Sequence, residues 1–254
     1  MDSTELSSIL KGDQVESRLR ERWGDIVATV GELGDLAMED GRGRHKDNVE
    51  HTILVTAKTP NRIRVRLTGL FHDVGKPPTR RIEEDGTVSF HGHEALGEKM
   101  TVKILKRLGY EAELATQVGR LVGLSGATKG SEAWSDSAVR RFTGSAGELL
   151  EDLLCFALVD VTSKHQVNHD RVANEISALR SRIDEVRAKD EAARWRPVVS
   201  GDDIMGRYSL TAGPKVGAML RLVREAELSA KSLGKGFSVE TAWEMLDDWV
   251  SQQA

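Results

Sequence analysis

His72-Asp73-Val74-Gly75-Lys76, at the end of the apolar segment 61–71, is the stretch on which the reading of this chain turns. It puts an imidazole, a carboxylate and an ammonium within about one helical turn. Ahead of it, Ile63, Val65, Leu67, Leu70 and Phe71 mark residues 61–71 as an amphipathic helix. His72 and Asp73 then fall at its buried C-terminal end. A buried His-Asp pair is costly unless something compensates it. Alone, the pair reads as a core histidine bonded to a local Asp, with Gly75 as helix C-cap and Pro77-Pro78 as the stop. With a divalent ion, the same residues become two ligands and a cation facing a phosphate that the ion polarises.

More donors are available elsewhere. His51 precedes the apolar Ile53-Leu54-Val55, and Asp160 interrupts the apolar run 153–159. A carboxylate in such a run is expected to be paired, capping or metal-bound. His51, His72, Asp73 and Asp160 form a two-His, two-Asp set drawn from three helices. Five of the seven histidines (His45, His51, His72, His91, His93, His165, His169) fall within about fifty residues. The order His, His-Asp, distant Asp resembles the HD phosphohydrolase superfamily. Mixed nitrogen and oxygen ligation suits Mn, Ni, Co, Fe or Mg, with Zn also compatible.

The resemblance narrows on further motifs. The stretches 45–51 (His45-Lys46-Asp47-Asn48-Val49-Glu50-His51), 70–77 and 88–94 (with His91-Gly92-His93-Glu94) are similar to the HD domain of bacterial tRNA nucleotidyltransferases. These are the CCA-adding enzymes and their poly(A) polymerase relatives. Trp134-Ser135-Asp136, Arg140-Arg141-Phe142, Val159-Asp160-Val161, Gly201-Asp202-Asp203 and Gly213-Pro214-Lys215 continue the match in the same order. The resemblance runs from about Arg44 to the C-terminus. Two departures matter. Nothing before Arg44 resembles the family's nucleotidyl-transferring head, so CCA addition is not expected of this chain itself. Where binuclear members carry a histidine for a second ion, this chain has Ser125. One ion, or a weakened second site using His93, is the expectation.

The resemblance implies an all-α HD-domain helical bundle with a C-terminal helical subdomain. Glu84-Asp85-Gly86-Thr87, between Arg81-Ile82 and Val88-Ser89, adds one small β-hairpin. Three regions are expected: an N-terminal helical extension over 1–43, the metal-binding domain over 44–194 and the C-terminal subdomain over 195–254. Residues 15–38 read as one long or two short helices, and 94–108 and 112–124 as two more. Residues 125–131, rich in Gly, Ser and Thr and carrying Lys129, read as a flexible loop over the mouth of the site. Asn168 or Asp170 can cap the following helix. Val172, Ile176, Leu179, Ile183 and Val186 then repeat at alternating four and three, a stripe for packing inside one monomer. Pro214 suits the first turn of a helix ending near Ser232, and Ser238 begins a last one.

With 254 residues the chain can bury a substantial core. Its net charge of −4 and pI near 6.0 make the whole molecule no electrostatic magnet for nucleic acid. One cysteine, Cys155, rules out a disulfide framework within the chain, which agrees with a reducing cytoplasm. No apolar run suits a membrane span, and no signal-like segment opens the chain. A monomer or homodimer without membrane or DNA partners is expected.

The chemistry these residues suggest is hydrolysis of a phosphoester. Asp73 would orient the ion and accept a proton from water, and Lys76 would stabilise charge on the phosphoryl group. His93 would bind a second ion, hold phosphate or protonate the leaving oxygen. Arg80, Arg140, Arg141 and Lys164 are candidates for a basic rim. The family resemblance implies nucleotides or RNA 3′ ends as substrates, such as 2′,3′-cyclic phosphates or phosphate monoesters. The alternatives are a non-catalytic tRNA- or RNA-binding module that partners a separate polymerase, and a scaffold with a structural metal.

Overall fold

The computed structural model describes residues 1–37, 47–161 and 166–253. Its helices are α1 (Ser3–Leu10), α2 (Val15–Thr29), α3 (Gly31–Gly34), α4 (Asn48–Lys58), α5 (Ile63–Phe71), α6 (Lys76–Thr79), α7 (His93–Arg107), α8 (Ala112–Gly123), α9 (Asp136–Ala146), α10 (Leu150–Val159), α11 (Gln166–Arg194), α12 (Gly201–Tyr208), α13 (Pro214–Ser232) and α14 (Val239–Ser251). Between α6 and α7, β1 (Arg81–Ile82) pairs antiparallel with β2 (Val88–Ser89), Arg81 opposite Ser89. The fold is all-α with one small hairpin, as the sequence pattern implies.

The chain divides into two compact units, Met1–Val186 and Arg187–Ala254. The first expected boundary, at 43/44, lies outside the described residues. The second falls eight residues earlier than 194/195, inside α11. The last turns of that helix find their partners in the second unit, where Trp195 Nε1 donates to Glu227 at 2.9 Å and Lys231 pairs with Glu191.

In the first unit the amphipathic expectation for α5 is too modest. Val65 to Phe71 is buried on every side, because α1, α4, α8 and α10 all pack against it. Its polar members are bonded within the chain except for Arg66 Nη1, which is buried without a partner. Arg66 donates to the carbonyls of Pro60 and Gly12, and the Thr68 hydroxyl to that of Arg64. The N-terminal helices share this core: Leu6, Leu10, Leu19 and Ile26 bury with Leu67, Leu70 and Phe71. A second core takes Ile176, Leu179, Ile183 and Val186 of α11 against Phe142 and Leu153. The heptad-like stripe therefore packs inside one monomer.

Two local features set up the site. Val55 on α4, Val65 on α5 and Phe156 on α10 bury together, fixing three helices to one another. Gly69 removes the side chain that would otherwise hold α5 away from α4, since a Cβ there would stand 2.8 Å from Thr56 Cα. Asp152 on α10, 2 % exposed, reinforces the arrangement by accepting ion pairs from both Arg62 and Arg64.

The second unit has its own core of Val199, Ile204, Met219, Val223, Ala242 and Leu246. Ser200 and Asp203 cap α12 reciprocally, Pro214 opens α13, and Ser238 caps α14. Arg207 stacks 4.8 Å from the Trp243 ring and pairs with Asp247 at 2.7 Å. In the described part of α11, helix already begins at Gln166. Asn168 and Asp170 therefore lie within the helix rather than capping it.

Candidate metal centre

The helices locked by Val55, Val65 and Phe156 deliver their donors to one point. His51 sits in the opening turns of α4, whose N-cap Asp47 accepts from Glu50 N at 2.9 Å. His72 is the C-cap of α5 and Asp160 the C-cap of α10. Two helix C-termini thus aim their negative dipole ends at the same place, which favours a cation there.

His72 Nδ1 lies 2.8 Å from the Gly69 carbonyl. A carbonyl can only accept, so Nδ1 carries the proton and the neutral ring turns its Nε2 lone pair inward. That Nε2 lies 3.2 Å from His51 Nε2, 3.3 Å from Asp73 Oδ2 and 3.6 Å from Asp160 Oδ1. His51 Nε2 to Asp160 Oδ1 closes the set at 3.1 Å. Atoms bound at right angles around an ion at about 2.1 Å stand about 3.0 Å apart, so these spacings fit one divalent ion. Two imidazoles with carboxylate oxygens suit the ions named above without choosing among them.

His51, His72 and Asp160 have ligand atoms all within 4.8 Å of one another. Asp73 stands beside this trio rather than inside it. Its Oδ2 accepts Lys76 Nζ at 2.8 Å, and Lys76 in turn lies 5.6 Å from the centre of the Phe90 ring. Only 11 % of the Lys76 side chain is exposed, which keeps its charge at the edge of the cluster.

The cluster's charges depend on one another. Burial disfavours the His72 imidazolium, but Asp73 and Asp160 outweigh it and hold its pKa above the ordinary 6.5. Burial also disfavours the Asp160 anion, yet His72 and the His51 hydrogen bond pull its carboxyl from 3.8 down to about 2. These shifts describe one ion pair and count once. It stabilises the fold of chelator-treated protein. On the acid side, the contribution is present above the unfolded Asp value and lost as pH falls towards 2. On the alkaline side it is complete below the unfolded His value and lost as pH rises through the raised His72 pKa. A bound ion needs the deprotonated imidazole, so added ion should reverse the alkaline limb. Thermal melts between pH 5 and 9, with and without divalent ion, test this; parallel curves would contradict it.

His93 opens α7, with Nδ1 2.8 Å from the Phe90 carbonyl and 3.2 Å from a Glu94 oxygen. It is not part of the three-donor group. Arg80, Arg140 and Arg141 are exposed. His45 and Lys164 lie outside the described residues.

Asp160 also forms part of the wall of an open cleft of about 460 Å³. The buried Ser125 lines it, with Lys129 from the loop and Asn168, Arg171 and Glu175 from α11. Arg80, Arg140 and Arg141 are not among its lining residues. The sequence reading missed Arg171 and gave Lys129 no role. The signal was present in the spacing of Asn168, Arg171, Val172, Glu175 and Ile176, which puts all five on one helix face.

Comparison with known proteins agrees with this geometry. Residues 32–163 match the HD domain model. Over 239 residues, 91% of this chain and 54% of the relative, the chain is 29% identical to the A-adding tRNA nucleotidyltransferase of Deinococcus radiodurans. Over 221 residues, 84% of this chain and 49% of the relative, it is 32% identical to the CC-adding tRNA nucleotidyltransferase of Thermus thermophilus. The chain spans about half the length of these curated relatives. Since the HD model covers more than half of its residues and the donors converge at its centre, the chain belongs to the HD domain family.

Proposed function

We propose that the chain is a metal-dependent phosphohydrolase acting on nucleotides or RNA 3′ ends, on 2′,3′-cyclic phosphates or phosphate monoesters. The observation that carries this is the convergence of His51, His72 and Asp160 around one point, with the His72 lone pair fixed inward by Gly69. These three, with Asp73 at their side, would hold the ion. A divalent ion there would polarise a phosphoryl oxygen and lower the pKa of a bound water. Asp73 holds Lys76 at the cluster's edge, where its ammonium meets negative charge building on the phosphoryl group. His93, whose Nδ1–H is held by the Phe90 carbonyl, would as the imidazolium give its Nε2 proton to the leaving oxygen. Arg80, Arg140, Arg141 and Lys164 would supply a basic rim.

The test is hydrolysis of 2′,3′-cyclic AMP and p-nitrophenyl phosphate. Metal-stripped protein would be resupplied singly with Mn²⁺, Ni²⁺, Co²⁺, Mg²⁺ and Zn²⁺. Turnover that depends on the ion is expected. No turnover with any ion would favour a tRNA- or RNA-binding module working with a separate polymerase. The similarity to two tRNA nucleotidyltransferases over most of this chain is the observation behind that second reading.

A further inference from the structure

Phe90 is half-buried, yet it joins none of the apolar cores formed by the described residues. It follows β2 and ends the small hairpin, whose Ile82 is 68% exposed. Core burial therefore does not explain an aromatic ring here. The contacts of Phe90 do. Its carbonyl accepts twice from His93, from the main-chain N–H at 3.1 Å and from ring Nδ1–H at 2.8 Å. Both bonds tie Phe90 to the first turn of α7. That turn lies against the His-Asp segment, where Gly75 leaves room for the His93 carbonyl. The Phe90 ring is thus carried on the support that meets Lys76, and Lys76 Nζ lies 5.6 Å from its centre. A ring face attracts an ammonium within about 6 Å.

Lys76 has a second partner in Asp73 Oδ2, at 2.8 Å. The two partners differ in kind. A carboxylate shared with a divalent ion attracts an ammonium less, whereas a ring keeps its electron-rich face. Resting on the phosphohydrolase reading, we infer that Phe90 is a positioning residue. Its ring face holds the Lys76 ammonium at the edge of the donor cluster, ready for a phosphoryl oxygen, while Asp73 serves the ion. Leucine would fill much of the same space without that face, and tyrosine would keep it.

The contact is tested first without any ion. In denaturant unfolding of chelator-treated protein, Phe90→Leu, Lys76→Met and the double variant form a cycle. The two substitutions are expected to be non-additive by about threefold in the unfolding equilibrium constant. Additive effects would overturn the contact. Its use is tested by equilibrium dialysis of Mn²⁺-loaded protein against inorganic phosphate. Phe90→Leu should weaken phosphate binding about fivefold with Mn²⁺ content unchanged, and Phe90→Tyr should restore it. In a Lys76→Met background, Phe90→Leu should change nothing further. Pentafluorophenylalanine at position 90 keeps the ring's shape while inverting the charge of its face. It should lose as much as leucine does, even if Phe90→Leu folds poorly. Phosphate binding untouched by the fluorinated ring, or equal losses from Phe90→Leu with and without Lys76, would assign the ring to packing and overturn the inference.

Release of nitrophenol from p-nitrophenyl phosphate separates this inference from the reading beneath it. Turnover by the unaltered protein, with additive unfolding effects, keeps the hydrolase and removes the role of Phe90. Coupled unfolding and coupled phosphate binding, without turnover of any ester, do the reverse.

Discussion

His72→Ala is expected to lower divalent-ion affinity by more than about a hundredfold and to take phosphoester turnover to background, with helical content retained. Losing a mere supporting partner of a metal ligand costs about 10–100-fold, and His72 is more central than that. Its Nε2 touches the ligand atoms of His51, Asp73 and Asp160, all between 3.2 and 3.6 Å. Without it only the 3.1 Å contact between His51 and Asp160 remains of the trio, and Asp160 loses the neighbour that most favours its anion. Metal content after dialysis, circular dichroism and turnover would be read together. Asp160→Asn keeps the shape of the side chain while removing its charge, so it should lose ion and turnover as well even if the alanine variant is poorly folded. Full metal occupancy in either variant would sink the ligand assignment.

The candidate donors are conspicuous in the sequence: His51, the His72-Asp73 pair and Asp160 are residue types able to bind a metal, set against apolar runs, and the structure brings His51, His72 and Asp160 together. The helices around them were legible through periodicity, and Pro214 and Ser238 through capping chemistry. Burial on all sides was less visible. Arg66 and Thr68 sit in the most enclosed helix of the fold, and their polarity mimics a solvent face because their carbonyl partners are not evident in a linear pattern. Asn168 and Asp170 suit a cap by type, yet α11 is already helical at Gln166, because local preference yields to neighbouring structure. The cleft was not legible. Its walls come from residues 125–132, 157–161 and 168–176, and only packing brings those segments together. Distance alone ranks the donors: residue type makes Asp73 equal to the others, and the geometry sets it beside the trio.

Gly75 carries the second large expectation. The sequence suggests a helix C-cap, which needs a left-handed backbone. Instead its φ of −81° and ψ of −9° are open to any residue, so conformation is not why glycine stands there. Space is the reason. A Cβ would lie 2.1 Å from the His93 carbonyl oxygen and 2.8 Å from Gly97 N, both main-chain atoms of α7. No rotamer change relieves such a contact, so the α5–α6 connection and α7 must separate. Gly75→Ala should therefore destabilise the protein by about 3 kcal/mol or more, a fall in Tm of roughly 6–12 °C for a chain of this size. Because Asp73 and Lys76 flank the position, the same shift should weaken ion binding. Gly24→Ala is the matched control. Gly24 lies inside α2 with nothing within 4 Å of its Cβ position, and there alanine should stabilise by about 1 kcal/mol through helix propensity. One substitution type with opposite signs at two glycines isolates close approach from backbone freedom. A Gly75→Ala melt within a degree or so of wild type would mean that α7 does not press on the His-Asp segment as described.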